Sequence, residues 1–288
     1  MALWLSMTHV APPSVLLTND DGIDSPLFHA LLERVSAAPW QLSTTFVVPA
    51  EEHSWIAQAA TPKRPVYVTP FVRSGTSGWI CSGTPADCVS LGIDNLTETR
   101  PELVISGINI GVNTGLAYYL SSGTVGAARQ AVITGVKATA LSVHVPPEVF
   151  GAWARHDLEL LANYSNDWQR LGTIAAGITG KLIQAKAWQG ADLLSVNLPW
   201  DADESTQVAV TELQRTHYRP LFTQRSSRTF IHRPIGLQEV DADARDEQRL
   251  LGDCEALRQG LISVTPIRYE LRPRDNKYLE RVVRALAD

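Results

Sequence analysis

SVLLTNDDGIDSPLFHALLERV, residues 14–35, is the stretch on which the fold class turns. SVLLT at 14–18 is apolar with no polar alternation, the pattern of a strand buried on both faces. Gly22, Ser25 and Pro26 then punctuate the chain. LFHALLERV follows with Leu27, Ala30, Leu31 and Val35 on one helical stripe. Ser25 is placed to cap that helix, and Pro26 fills its first position, where the missing N–H costs nothing. The unit reads strand, loop, helix, and Asn19–Asp20–Asp21–Gly22 sits at the carboxyl end of the strand.

Working outward, the same alternation repeats. Strands are expected at TTFVVP (44–49), around Val66 to Thr69 and Trp79 to Ser82, and at PELVIS (101–106), KATALSVHV (137–145), ADLLSVNLP (191–199) and QGLISVTPI (259–267). QVAVTEL (207–213) alternates like a more exposed strand. In GTPADCVSLGIDNL, Thr84 caps, Pro85 opens and Asp87 answers orphan N–H groups three residues on. A further helix is expected to start near Gly123. Between 150 and 185 a helical region carries Leu158, Leu160, Leu161, Leu171, Ile174 and Ile178 as expected core contacts. Buried strands alternating with helices predict a three-layer α/β core with a mostly parallel sheet. Residues 14–267 form one domain with no strong linker, between an irregular leader (1–13) and a helical extension (268–288) whose DNKYLERVVRALAD is amphipathic.

The 288 residues are 44% hydrophobic and 19% charged, which excludes a disulfide miniprotein, a collagen-like repeat and a wholly disordered chain. The net charge of −5 argues against a broad polyanion-binding surface. Three cysteines without a CxxC pair fit a reducing compartment and give no zinc site. The N-terminal stretch lacks the positive opening of a secretory leader, so the expected location is cytoplasmic.

Chemistry concentrates in loops at one sheet edge, where ligands of open α/β sheets bind. Adjacent Asp20 and Asp21 repel in a dry pocket unless a cation or hydrogen-bond donors compensate them, and oxygen ligands suit Mg²⁺ or Mn²⁺. A helix-capping polar turn is the plainer alternative. GINIGVNTG, 107–115, is a second loop, in which Asn109 and Asn113 offer carbonyl or amide groups between glycines. It is neither a nucleotide-binding GxGxxG nor a P-loop. SSGT at 121–124 precedes a helix whose free N–H groups suit phosphate. His29 reads as a packing residue, Cys81 and Cys88 as core thiols, and Asp87 as a cap. His53 is balanced between loop residue and substrate contact.

VLLTNDDG, GTPADCV, VISGINIGVNTG followed by SGTVGAA, SVNLP and GLISVTPI together resemble the SurE family of survival-protein nucleotidases and acid phosphatases. The landmarks fall in the family's order across residues 14 to 267. The resemblance implies a Rossmann-like core with C-terminal extended arms that exchange or pack between subunits. It also implies metal-dependent hydrolysis of phosphomonoesters, above all nucleoside 5'-monophosphates, with 3'-monophosphates or short polyphosphate as further substrates. By motif, the metal ligands fall on Asp20, Asp21 and Asn109, and on Ser54, which Trp55 follows where the family has glycine. Asp20, Asp21 and Asn109 are then the catalytic groups. One Mg²⁺ or Mn²⁺ per subunit polarises the phosphate and activates a water, while Asn19, Asn113, Ser122, Gly123 and Thr124 hold its oxygens. A covalent route, with an aspartate attacking phosphorus, stays open.

Arg215 to Arg233 carries five arginines and no acid, and reads as two extended arms around a Ser226–Ser227 turn. The arms are expected to build a homodimer or homotetramer, with Arg219, Arg225 or Arg228 reaching an anionic substrate. Two alternatives to a nucleotidase follow from the same residues. One is a nucleic-acid binder using the aromatic, basic arms, and the other is a phosphatase with a non-nucleotide substrate.

Overall fold

Every central strand of the sheet sends alternate side chains into two separate cores. In the computed structural model, Val15 and Leu17 enter one apolar cluster and Leu16 the other; Phe46 and Val48 oppose Val47, and Leu103 and Ile105 oppose Val104. Apolar runs without alternation therefore mark strands covered on both faces. The structure describes residues 13–37, 39–40, 42–233, 236–240, 250–269 and 284.

The chain runs β1 (Ser14–Thr18), α1 (Pro26–Ser36), β2 (Ser43–Pro49), β3 (Val68–Arg73), β4 (Thr76–Cys81), α2 (Pro85–Leu91) and β5 (Leu103–Ile110). It continues through α3 (Gly115–Ser121), α4 (Gly123–Ile133), β6 (Lys137–His144), α5 (Pro147–Ala154), α6 (Leu158–Ala162), α7 (Ser165–Gln184) and β7 (Leu193–Pro199). After these come β8 (Val208–Val210), β9 (Thr216–Tyr218), β10 (Phe222–Ser226), β11 (Thr229–His232), β12 (Leu237–Glu239), α8 (Asp253–Arg258) and β13 (Ile262–Ile267). Nine strands form one sheet in the order β3-β4-β2-β1-β5-β6-β7-β13-β8. Among the described residues, only the β3–β4 and β7–β13 pairs of this sheet are antiparallel, so the sheet is mostly parallel, as expected. Helices α1, α5, α6 and α7 cover one face and α2, α3 and α4 the other, completing three layers.

Local capping follows the sequence. Ser25 Oγ accepts from Phe28 N at 3.4 Å, with Pro26 opening α1. Thr84 and Asp87 form a reciprocal capping box at α2. Where the structure departs, tertiary packing is the reason. β5 does not stop at Ser106 but runs through Gly107 to Ile110, across a register shift between Ser106 and Asn109. Gly107 takes φ +124°, and a Cβ there would lie 2.3 Å from Leu141 O, so a residue that reads as a strand breaker is what lets this strand continue beside β6. Between the Gly/Asn loop and the helix expected near Gly123, an additional helix α3 forms over Gly115–Ser121. Leu158 is 66% exposed rather than core, because His156 in a left-handed conformation separates the short α6 from α5 and breaks any single stripe; Leu161 and Leu171 are buried as expected. Of the arms expected over 215–233, only 222–232 form the β10–β11 hairpin, and it turns at Ser227–Arg228 rather than Ser226–Ser227 because Ser226 still pairs with Thr229; 216–218 pair with β12 instead. Residues 1–12 of the leader lie outside the described residues, and so does the expected terminal helix save Arg284. Among the described residues no helix is long and apolar enough to cross a membrane.

The two-sided core makes inner strands far less tolerant than the edge. Phe46 is fully buried edge-on against Phe28, so Phe46→Ala should destabilise the fold by about 3–5 kcal/mol. Val208→Ala on the exposed edge strand β8 should change stability by less than about 0.5 kcal/mol. Urea midpoints of the two variants check this contrast.

Candidate active site

The parallel strands β1, β2, β5 and β6 end on one side of the sheet, and the loops that leave them converge. Asp20, Ser54, Asn109, Asn113 and Ser122, from four chain segments, line one cavity of about 510 Å³. Val145, Pro147 and Phe150 border it on the α5 side, and Trp55 and Tyr118 also line it. None of its lining residues is Lys or Arg; Arg219, Arg225 and Arg228 do not reach it within this chain.

The acid pair is held from several directions. Asp20 Oδ1 accepts from Thr124 Oγ1 at 2.5 Å, and the Asp20 carbonyl accepts from His53 N at 2.8 Å, which ties the serine loop to the first acid. Asp21 Oδ2 accepts from Ile110 N at 3.1 Å, which ties the second acid to the end of β5. Gly123 opens α4 directly against Asp20: a Cβ there would stand 2.7 Å from Asp20 Oδ2 and 2.8 Å from His53 O. The N-terminal turn of α4 and its partial positive charge therefore face a carboxylate.

Burial acts against the charge of both acids. Asp20 is 3% exposed and Asp21 6%. Desolvation pushes the Asp20 carboxyl up to about 6, against the donor bonds from Thr124. Asp21 is driven well up as well, first by burial and then by the neighbouring Asp20 charge. Among the described residues, the groups that act most strongly on their acidity include a third carboxylate, Glu52, and no cationic side chain.

Each remaining site residue has a definite place. Asn109 donates from Nδ2 to Gly111 O at 2.8 Å, so its Oδ1 is the atom left for a ligand. Ser54 is exposed on the cavity, and its backbone N–H donates to Glu52 at 2.9 Å. Asn113 is anchored twice, by Nδ2 donating to Ser142 Oγ at 2.6 Å and by its N–H donating to Asn197 Oδ1 at 3.0 Å. Ser122 Oγ accepts from Val125 N at 3.1 Å and so caps α4. Asn19, Gly123 and Thr124, expected on phosphate, are buried beside the acids and do not line the cavity, and neither does Asp21. The Asn19 amide bridges both backbone groups of Gly22, and Thr124 orients Asp20; short side chains in these turns satisfy the nearest unpaired groups first.

Glu52, Asn197 and Trp153, whose side chain bonds Asp21, were not singled out in sequence. Asn197 lies in SVNLP, where an asparagine amid a buried strand was the available signal; Trp153 and Glu52 offer none. Among the described residues no three His, Cys, Asp or Glu side chains gather into a metal cluster. The residues that the sequence motifs single out are two carboxylates and the uncharged side chains of Ser54 and Asn109, and of these Asp20, Ser54 and Asn109 line the cavity. Buried acids without a cation, in an all-oxygen setting, fit Mg²⁺ or Mn²⁺.

A family model described as "Survival protein SurE" matches residues 15–220. The chain belongs to the SurE family, and with it to the phosphomonoester hydrolases. It is 32% identical over 278 residues to "5'-nucleotidase SurE" of Methanocella arvoryzae, covering 94% of this chain and 97% of that one. To "5'-nucleotidase SurE" of Heliobacterium modesticaldum it is 34% identical, covering 89% and 86%. The crystal structure of the SurE protein from Aquifex aeolicus superimposes with a TM-score of 0.69 at 25% identity, covering 96% of this chain and 100% of that one.

Adding one methyl group at Gly123 tests the site's geometry. Gly123→Ala should push Asp20 and the serine loop apart, lowering phosphate release by about 100-fold while far-ultraviolet circular dichroism stays that of the folded protein.

Proposed function

We propose that this SurE protein hydrolyses nucleoside 5'-monophosphates, and to a lesser extent other small phosphomonoesters, in a reaction that needs Mg²⁺ or Mn²⁺. Asp20, Asp21, Ser54 and Asn109 would hold the metal. When bound, such an ion offsets the two buried charges and polarises a phosphoryl oxygen. The observation that carries the reading is the pair of adjacent buried aspartates, of which Asp20 lines a cavity together with Ser54, Asn109, Asn113 and Ser122.

The remaining work falls to the chain. Phosphoryl transfer depends on positioning and charge compensation more than on covalent partners. Thr124 and Ile110 N–H fix the two carboxylates, while Asn113, held by Ser142 and Asn197, faces the same space. The start of α4 supplies a positive dipole end for the phosphoryl oxygens. Water attacks phosphorus in line with the ester oxygen that leaves.

We also infer that the β10–β11 hairpin joins subunits into a dimer or tetramer. All nine of its strand residues are exposed within one chain, including Phe222 at 60% and Phe230 at 59%. Such a two-stranded ribbon has marginal stability unless it packs on something.

Metal binding can be read without turnover. Because the folded Asp20 carboxyl lies near 6, above its ordinary 3.8, the metal-free protein holds this proton more tightly than the unfolded chain does. Its contribution to stability is therefore present below pH 3.8 and lost as pH rises through about 6. Asp20→Asn should raise the melting temperature of chelated protein at pH 7.5 and abolish the further rise that Mn²⁺ gives the wild type. Phosphate release from a nucleoside monophosphate should stop on chelation and return with Mn²⁺ or Mg²⁺. Full turnover after verified metal removal would contradict the reading. Replacing residues 222–231 by a short Gly/Ser turn should lower the sedimentation coefficient of the assembly and leave the core folded; a folded deletion of unchanged size would leave the hairpin without this role.

A further inference from the structure

The floor of the cavity accounts for a phosphoryl group and leaves its apolar side unassigned. Three aromatic rings line the cavity, those of Trp55 and Tyr118 in mutual contact and that of Phe150 from α5. Trp55 directly follows Ser54 and takes φ +63°, a left-handed conformation that suits glycine and disfavours a bulky residue. Tertiary contacts hold it there. The indole meets Tyr118 edge-on at 5.7 Å, His232 at 4.7 Å and Tyr218 at 5.6 Å between ring centroids. Tyr218 is itself fixed on α3, where its hydroxyl bonds Ser121 Oγ and donates to the Ala117 carbonyl at 2.5 Å. Phe150 comes from the α5 side, its ring 3.7 Å from where a Cβ on Gly111 would lie, two residues from Asn109.

Resting on the hydrolase reading, we propose that Trp55 is a specificity-determining residue. Its ring, with Tyr118 and Phe150, receives the flat base of a nucleoside leaving group and makes the enzyme favour nucleotides over sugar phosphates. A nucleobase offers a π-face to such rings, whereas a bare pentose offers hydroxyls that lose water against them without hydrogen bonds in return. Tyr218 and His232 hold the indole before substrate arrives, so little side-chain freedom remains to be lost on binding. His232 belongs to β11, so the hairpin shapes substrate choice through Trp55 rather than through its arginines.

Adenosine 5'-monophosphate and ribose 5-phosphate share the same phosphoester and differ in the base, so their kcat and KM with Mn²⁺ isolate the wall. Trp55→Gly fits the left-handed backbone and leaves Ser54 in place. It should lower kcat/KM for the nucleotide about ten-fold, through KM, and leave ribose 5-phosphate unchanged. Trp55→Phe should keep most of the preference. An unchanged ratio between the two esters in Trp55→Gly overturns the assignment. So does a ratio that moves toward the nucleotide, which would mean that the indole obstructs the base. A wild type that hydrolyses neither ester overturns the hydrolase reading itself, and this inference with it.

Discussion

Two adjacent carboxylates buried at the end of β1 set the terms for everything around them. Charge removed from water must be compensated or protonated, and here burial already lifts the Asp20 carboxyl to about 6. The surrounding chain responds in two ways. Donors such as Thr124 Oγ1 and Ile110 N fix the oxygens, and the start of α4 is brought against Asp20 by the absence of a side chain at Gly123. Neither offsets the mutual repulsion of the two acids, to which Glu52 adds a third carboxylate.

The sheet makes that burial possible. Strands covered on both faces bring β1, β2, β5 and β6 into parallel register, so their following loops arrive at the same edge. The register shift after Ser106 extends β5 far enough for Asn109 to line the cavity with Asp20 and for Ile110 N to bond Asp21. Asn197, at the end of β7, then fixes the loop carrying Asn113. A change in β1 or β5 reaches the chemistry through backbone position, since Asp20, Asn109 and Asn113 sit within or no more than three residues beyond these strands.

Above this floor the chain departs from the glycine that its family's pattern leads one to expect after Ser54. The left-handed backbone is kept, and an indole occupies it, braced by Tyr118, Tyr218 and His232. The conformation that makes glycine suitable thus also aims the tryptophan at the cavity. Polar floor and aromatic wall are consequently neighbours in sequence, at Ser54 and Trp55, while their supports come from α3 and β11.

Local physics made much of this legible in the sequence alone. Apolar runs such as SVLLT and TTFVVP mark strands covered on both faces, because each residue needs a buried neighbour on its own side. Ser25 with Pro26, and Thr84 with Asp87, mark helix starts because capping acts within three residues. The paired aspartates and the Gly/Asn loop were visible for the same reason, their chemistry being contained in a few consecutive residues. What only the tertiary structure decided depends on partners far apart in the chain. Thr124 meets Asp20 across 104 residues and Asn113 meets Asn197 across 84, and neither contact leaves a trace in local periodicity. Gly107 reads as a break until Leu141 is seen beside it, and Trp55 reads as an anomaly until His232 and Tyr218 close around it. A hydrogen bond or a ring contact selects whichever group the fold delivers, and that delivery is a property of the whole sheet.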